Sequence, residues 1–242
     1  MTVSTAFGGE SMKITWLGHS GFRIAIGDQV LLVDPWFTGN PVFPAAREAE
    51  ATQGATAILL THGHGDHASD APRLAALTGA PIWAGHELAE YLEQVKGAPA
   101  HGFAKGGTIA LGQVAVSMVP ASHSSSIDWT GAPAIAAGDP AGFMIAGEGR
   151  MIYVSGDTGI MADMGWMGEY YQPDIGILCC GGHYTMDMAG AAWAAKRFFD
   201  FKVVIPCHYR TFGLLAQSAD VLTSKLPGVD VRLPGVMEVL DL

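Results

Sequence analysis

Three imidazoles and a carboxylate lie within one short stretch, Thr61-His62-Gly63-His64-Gly65-Asp66-His67, directly after the apolar run Ala57-Ile58-Leu59-Leu60. A His-x-His-x-Asp-His string at the end of a buried strand sets His62 and His64 on one side. The turn into a helix then carries Asp66 and His67 to a second position, so one turn predicts two adjacent metal positions. Neutral imidazole and carboxylate suit Zn²⁺, Mn²⁺ or Fe²⁺, and a catalytic site keeps a coordination position open for water. Gly63 and Gly65, lacking Cβ, permit a tight turn and close approach of the backbone to the metals. The plain alternative is a histidine cluster that picks up metal by accident. A lone His-x-His would fit that reading, but the full string after a strand points to a built site.

The string resembles the signature of the metallo-β-lactamase superfamily. That resemblance implies a third histidine, a bridging aspartate and a final histidine later in the chain, each at a strand end. His123 in Pro120-Ala121-Ser122-His123-Ser124-Ser125, Asp157 in Ser155-Gly156-Asp157-Thr158-Gly159 and His208 in Pro206-Cys207-His208-Tyr209 fill those places. By the same resemblance His62, His64 and His123 hold one metal, Asp66, His67 and His208 the other, and Asp157 bridges them. The expected cofactors are two divalent ions, zinc first, with manganese or iron as alternatives, and a hydroxide shared between them is the implied nucleophile. Trp16-Leu17-Gly18-His19-Ser20-Gly21-Phe22, Asp34-Pro35-Trp36-Phe37-Thr38-Gly39-Asn40-Pro41, Tyr184-Thr185-Met186 and His208-Tyr209-Arg210-Thr211-Phe212 narrow the resemblance. They are similar to a subgroup of metal-dependent hydrolases that includes ascorbate-6-phosphate lactonase, over nearly the whole chain from Met12 onward. The branch that reduces oxygen or nitric oxide at a di-iron centre has a carboxylate where this chain has Gly63, which disfavours redox chemistry. Ser122-His123-Ser124-Ser125 departs from the Thr- and Gly-rich surroundings usual in thioesterase and antibiotic-hydrolysing branches.

The elements must bring these residues together. Strands are expected near Lys13–Leu17, Phe22–Ile26, Val30–Asp34, Ala57–Leu60, Pro81–Ala84, Val114–Val119, Phe143–Ile145, Met151–Ser155, Asp174–Cys180 and Val203–Pro206. Helices are expected over Ser69–Leu77, Glu87–Val95, Asp187–Phe199 and Gln217–Leu226, with Pro72 in the opening turn of the first and Gly97 stopping the second. Two strand runs with helices between them predict an α/β fold, and the resemblance makes it a four-layered αββα sandwich. The stretch Phe22 to Asp34 echoes Phe143 to Val154: strand, Gly-acidic turn, strand, then an aspartate. Chance similarity of two hairpins is the simple reading, and two related halves with the metals between their sheet ends is the sharper one.

Composition agrees with a compact enzyme. The 242 residues are 49% hydrophobic with 32 glycines, enough for one large core, and nothing reads as an interdomain linker, so a single domain over 1–242 is expected. Residues 1–11 read as a flexible tail with no basic start or apolar block, unlike a signal peptide, and Gly131 to Gly147 is too short to span a bilayer. Cys179, Cys180 and Cys207 sit in apolar strand-like segments and read as reduced, buried residues of a cytoplasmic protein; a metal-ligand role for Cys207 is the weaker alternative. A net charge of −10 with 13 scattered basic residues tells against nucleic-acid binding. A small-molecule substrate is therefore expected, no membrane partner, and a homo-oligomer stays open.

Around the ligands, His19 and His183, each at a strand end, are candidates to face the metals as proton donors or substrate contacts, with loop histidines as the alternative. Asp66 is assigned to the catalytic group as well as to the metal. Ser124 and Arg210 are the candidate substrate contacts, Arg210 for an anionic group, against a plain surface arginine. Asp34 is expected to orient the metal-binding loop from behind the ligands, and His86 and His101 carry no such context. Trp36, Phe37, Tyr184, Met186 and Phe212 read equally as pocket lining and as core. The leading expectation is hydrolysis of a small, polar, anionic ester or lactone. Phosphodiester hydrolysis is the alternative, and a metal-binding or regulatory protein without turnover is the alternative of another class.

Overall fold

The computed structural model describes residues 12–242; the tail expected over 1–11 lies outside the described residues. The first half of the chain runs β1 (Lys13–Gly18), β2 (Gly21–Ile26), β3 (Gln29–Val33), α1 (Glu48–Thr52), β4 (Ala57–Leu59), α2 (Gly65–Ala68), α3 (Ala71–Thr78), β5 (Ile82–Gly85), α4 (His86–Gln94) and β6 (Ala100–Phe103). It continues with β7 (Thr108–Leu111), β8 (Val114–Pro120), β9 (Ser126–Ile127), β10 (Ile135–Ala136), β11 (Ala141–Gly147), β12 (Arg150–Val154), α5 (Asp163–Tyr171) and β13 (Ile175–Cys179). It ends with α6 (Met188–Phe198), β14 (Val203–Cys207), α7 (Asp220–Lys225), β15 (Asp230–Val231) and β16 (Val239–Asp241).

Two seven-stranded sheets form, in the orders β16-β1-β2-β3-β4-β5-β6 and β7-β8-β11-β12-β13-β14-β15. Each starts with antiparallel pairs and turns parallel at the same place, after β3 in one sheet and after β12 in the other. The echoed sequences are the equivalent hairpins. β2–β3 closes through Ile26↔Gln29 and β11–β12 through Gly147↔Arg150, each with a two-residue loop containing positive-φ residues. The two halves therefore share one strand order and one set of pairing directions.

The parallel strands lie under layers on both faces, which explains their unbroken apolar runs. Leu31, Val33, Ala57 and Leu59 face the second sheet, in one core with Phe143, Ile145 and Ile177. Leu32, Ile58, Leu60 and Ile82 face the other way, packing with Leu74 of α3 and Leu88 and Leu92 of α4. Helices α5 and α6 cover the outer face of the second sheet, with Met164, Met167, Ala191 and Ala195 in its core, and the αββα sandwich is complete.

Every expected strand and helix is present, with shifted ends; α7 begins at Asp220 rather than Gln217. The unexpected elements have weak patterns. α5 buries only Met164 and Met167 and carries two glycines, and β7 is an edge strand with alternate residues exposed. The three cysteines are free and buried. Burial pushes the Cys179 thiol up to about 12 and raises Cys180 and Cys207 as well. The native protein should therefore resist an aromatic disulfide reagent that reads out thiols by absorbance, and should titrate three thiols only after denaturation. Prompt reaction of any of them in the native state would contradict this packing.

Candidate metal centre

The strand ends gather at one edge of the sandwich. Asp34 follows β3, Thr61 and His62 follow β4, Asp157 follows β12 and His208 follows β14, all at the carboxyl ends of parallel strands, where open α/β sheets place their ligands. His19 follows β1 and His123 follows β8. Two backbone bonds tie the sheets together here: His208 N–H donates to His19 O (2.9 Å) and Ala141 N–H to Thr61 O (2.9 Å). His19, Asp34 and His208 all adopt positive φ, at 52°, 44° and 59°. For histidine and aspartate such a conformation is uncommon and persists where the surroundings over-determine it.

Three groups of potential ligands form, and the third, Asp34, His62 and His67, overlaps the other two through its histidines. His62, His64 and His123 place one ligand atom each within 4.8 Å of one another, as do His19, Asp66, His67 and His208. Asp157 stands between these two. Its Oδ2 lies 2.9 Å from His208 Nε2, 3.4 Å from His67 Nε2 and 3.8 Å from His123 Nε2.

Behind these groups Asp34 is a hub. Its carboxylate accepts from Thr61 N–H (2.8 Å), Thr61 Oγ1–H (2.6 Å) and His67 Nδ1–H (2.8 Å). Because an ionised carboxylate only accepts, the hydrogen of the neutral His67 ring sits on Nδ1, which leaves Nε2 as the atom able to bind a cation. That atom is buried without any hydrogen-bond partner. Thr61, having given its one hydroxyl proton to Asp34, can only accept from His62 Nδ1 at 3.0 Å. The His62 Nε2 lone pair consequently faces His64 Nδ1 at 3.0 Å. Lone pairs converging in a buried space, beside a carboxylate, fit a divalent cation.

Electrostatics point the same way. Burial alone would raise Asp157 and Asp66, but neighbouring histidines, His208 and His67 for Asp157 and His67 and His19 for Asp66, hold both carboxyls below their usual range. Burial lowers His62 and His123 and takes His19 to about 4, keeping these rings neutral near pH 7. His67 is the exception: burial opposes its charge, yet Asp157, Asp34 and Asp66 together raise it well above the usual imidazole value.

A family profile described as Beta-lactamase superfamily domain matches residues 29–209, three quarters of the chain. The chain belongs to this superfamily. Relatives named UPF0173 metal-dependent hydrolase come from Dinoroseobacter shibae, 60% identical, and Paracoccus denitrificans, 59% identical. Each aligns over 231 residues, 96% of this chain and 100% of the relative. The solved structure of a metallo hydrolase from the archaeon Ignicoccus hospitalis is similar with a TM-score of 0.84 at 31% identity, covering 95% of this chain and 97% of that one.

In this superfamily member the other candidates divide. Ser124 is exposed, with Oγ 3.5 Å from His64 Nε2, at the rim. His183 is exposed, its ring edge-on to Tyr184, and stands outside both ligand groups. The turn after β13 directs it to solvent rather than inward. Arg210 is also exposed, its guanidinium lying 5.9 Å over the Trp16 ring and 5.8 Å over Tyr209. Phe37 and Met186 are core. Trp36 and Phe212 are half-buried, each with its ring centroid 5.4 Å from that of His19.

Several residues were not singled out in the sequence. Thr61 and Thr211 hold histidines by their hydroxyls. Asp128 accepts from Gly65 N–H and Trp129 donates to Gly63 O, strapping the loop after β8 over the metal-binding turn. Asp70 accepts from Phe37 N–H and Thr38 N–H and so anchors the loop that carries Trp36. Only Thr61 had a signal, its place immediately before the string. The strap also explains Gly63. A Cβ there would lie 2.7 Å from Ala137 Cβ and 3.0 Å from Ser126 O, so the larger carboxylate of the di-iron branch has no room. Gly63→Ala should lower stability by roughly 1–3 kcal/mol and weaken metal retention, read by denaturant melts and elemental analysis; an unchanged variant would mean that the strap yields freely.

Proposed function

We propose that the protein is a dinuclear metal-dependent hydrolase of a small ester or lactone. The convergence of the lone pairs of His62, His67 and their neighbours on the Asp157 carboxylate carries this reading. His62, His64 and His123 would hold one cation and Asp66, His67 and His208 the other, with Asp157 placed to contribute to both and zinc the first choice for the nitrogen-rich donor set. When bound, such a pair brings the pKa of water to about 7 and stabilises negative charge developing on a carbonyl oxygen.

The chain's own residues supply the rest. Asp34 and Thr61 fix ring tautomers and orientation, and the strap from Ser125 to Trp129 fixes the turn. Trp36 and Phe212 form an aromatic wall beside the cluster, against which the apolar part of an ester or lactone can pack. Arg210, exposed beside Trp16 and Tyr209, is the candidate contact for an anionic group on that substrate. Three buried free thiols and a net charge of −10 support a reducing, cytoplasmic setting without nucleic-acid partners. No helix among the described residues is long and apolar enough to cross a membrane.

The test pairs elemental analysis with hydrolysis of a panel of lactones and of bis(p-nitrophenyl) phosphate. About two metals per chain, and lactone turnover that a chelator abolishes and zinc restores, is the expected result. Turnover of the phosphodiester alone would move the reading to phosphodiester hydrolysis, and metal without any turnover would move it to a binding or regulatory role.

A further inference from the structure

His19 stands apart from the seven side chains assigned above, yet its surroundings repeat those of His62. In both cases a threonine hydroxyl faces the ring Nδ1 and has somewhere else to send its only proton. Thr61 Oγ1 donates to Asp34; Thr211 Oγ1 donates to the Tyr209 carbonyl at 3.2 Å. In the arrangement that keeps this proton on the Tyr209 carbonyl, the Thr211 oxygen accepts from His19 Nδ1–H at 2.9 Å, because the hydroxyl has no second proton to give. The His19 Nε2 lone pair then faces Asp66 Oδ2 at 3.0 Å, two acceptors at hydrogen-bond distance with no proton between them. The His19 side chain is held there: it is fully buried, its carbonyl accepts from Trp16 Nε1 and from His208 N–H, and its ring lies 4.1 Å from that of His208. A cation between Nε2 and Oδ2 removes the conflict, and the ligand atoms of His67 and His208 complete a group within 4.8 Å.

We propose that His19 Nε2 is a fourth protein donor, with Asp66, His67 and His208, to the second cation, and that Thr211 fixes the tautomer this requires. The inference rests on the reading of the cluster as a metal centre. It makes the two positions unequal. The position of His62, His64 and His123 has three protein donors besides Asp157 and more room for water, and the other is nearly closed by protein. The competing arrangement reverses both hydrogens, so that Thr211 donates to Nδ1 and Nε2–H donates to Asp66; His19 then only orients that carboxylate.

Zinc affinity and stoichiometry, measured by competition with a chromophoric chelator, separate these for the wild type, His19→Ala, His19→Gln and Thr211→Val, with thermal melts to verify folding. The expected result is two zinc ions in the wild type and one tight zinc in His19→Ala, the second site weakened at least about 100-fold. Thr211→Val should retain both with the second weakened about 10-fold, the lower end of the range for groups behind a ligand. Should His19→Ala fail to fold, the same comparison is made with His19→Gln. Two zinc ions at wild-type affinity in folded His19 variants would overturn the proposal while leaving the dinuclear reading standing. A wild type that binds no zinc would instead remove the metal centre itself, and this proposal with it.

Discussion

Asp157→Ala should lose most of its metal and at least about 10³-fold of its hydrolytic rate, more than the 10–100-fold typical of a group that only orients a ligand. The reason is its position. Asp157 is fully buried, and its Oδ2 lies within 4 Å of ring nitrogens from His67, His123 and His208, which belong to both ligand groups. Removing it takes away the carboxylate that faces ring nitrogens of both ligand groups and leaves buried imidazoles crowding positive charge with less to offset it. Elemental analysis should fall from about two metals to one or fewer, while far-UV circular dichroism stays that of the wild type. Asp157→Asn keeps the volume and one oxygen, so it should retain more metal than the alanine variant while losing comparable activity. Two metals and a rate within about tenfold of wild type in Asp157→Ala would sink the assignment of this residue as the bridge.

The second large effect belongs to Asp34, which touches no cation in the proposed arrangement. Asp34→Ala strands three buried donors, Thr61 N–H, Thr61 Oγ1–H and His67 Nδ1–H. At about 1–3 kcal/mol for each unsatisfied group, the loss is at least about 3 kcal/mol. For a chain of this size that lowers Tm by roughly 6–12 °C. The backbone adds to it, since φ is 44° here and alanine tolerates that region less well than aspartate or asparagine. Asp34→Asn removes only the backbone term and part of the hydrogen-bond loss. It should melt between the alanine variant and the wild type, yet bind metal about 10–100-fold more weakly because the His67 ring is no longer held by a carboxylate. Equal melting of wild type and Asp34→Ala in the metal-free state would show that the hub does not support the fold.

Much of the site could be read from the chain. The string from His62 to His67 needs only a strand, a turn and a helix start, all local events, so its spacing already implied two positions. His123, Asp157 and His208 were legible because each closes an apolar run. The hairpin echo from Phe22 and Phe143 was legible for a similar reason, as alternation and turn residues act over a few positions. The same reasoning carried His183 and Arg210 toward the site, and the structure places both at the surface, His183 beside Tyr184 and Arg210 beside Trp16 and Tyr209. Being at a strand end does not decide which way a side chain leaves the turn. Gly182 N–H bonds Met186 O after β13, and Arg210 N–H bonds Ala216 O after β14, so the shape of each turn is set by residues several positions further along.

The sequence by itself thus determined the residue types that gather in the cluster, their order and the alternation of strands and helices, because these depend on residue chemistry and short-range periodicity. Tertiary structure alone decided which histidine tautomers face inward, that Thr61 and Thr211 set them, that His19 joins Asp66, and that the loop after β8 straps Gly63. Those outcomes depend on atoms far apart in the chain, His19 and Thr211 or Gly63 and Trp129, meeting at hydrogen-bond distance. Only the packing of one sheet against the other brings them there.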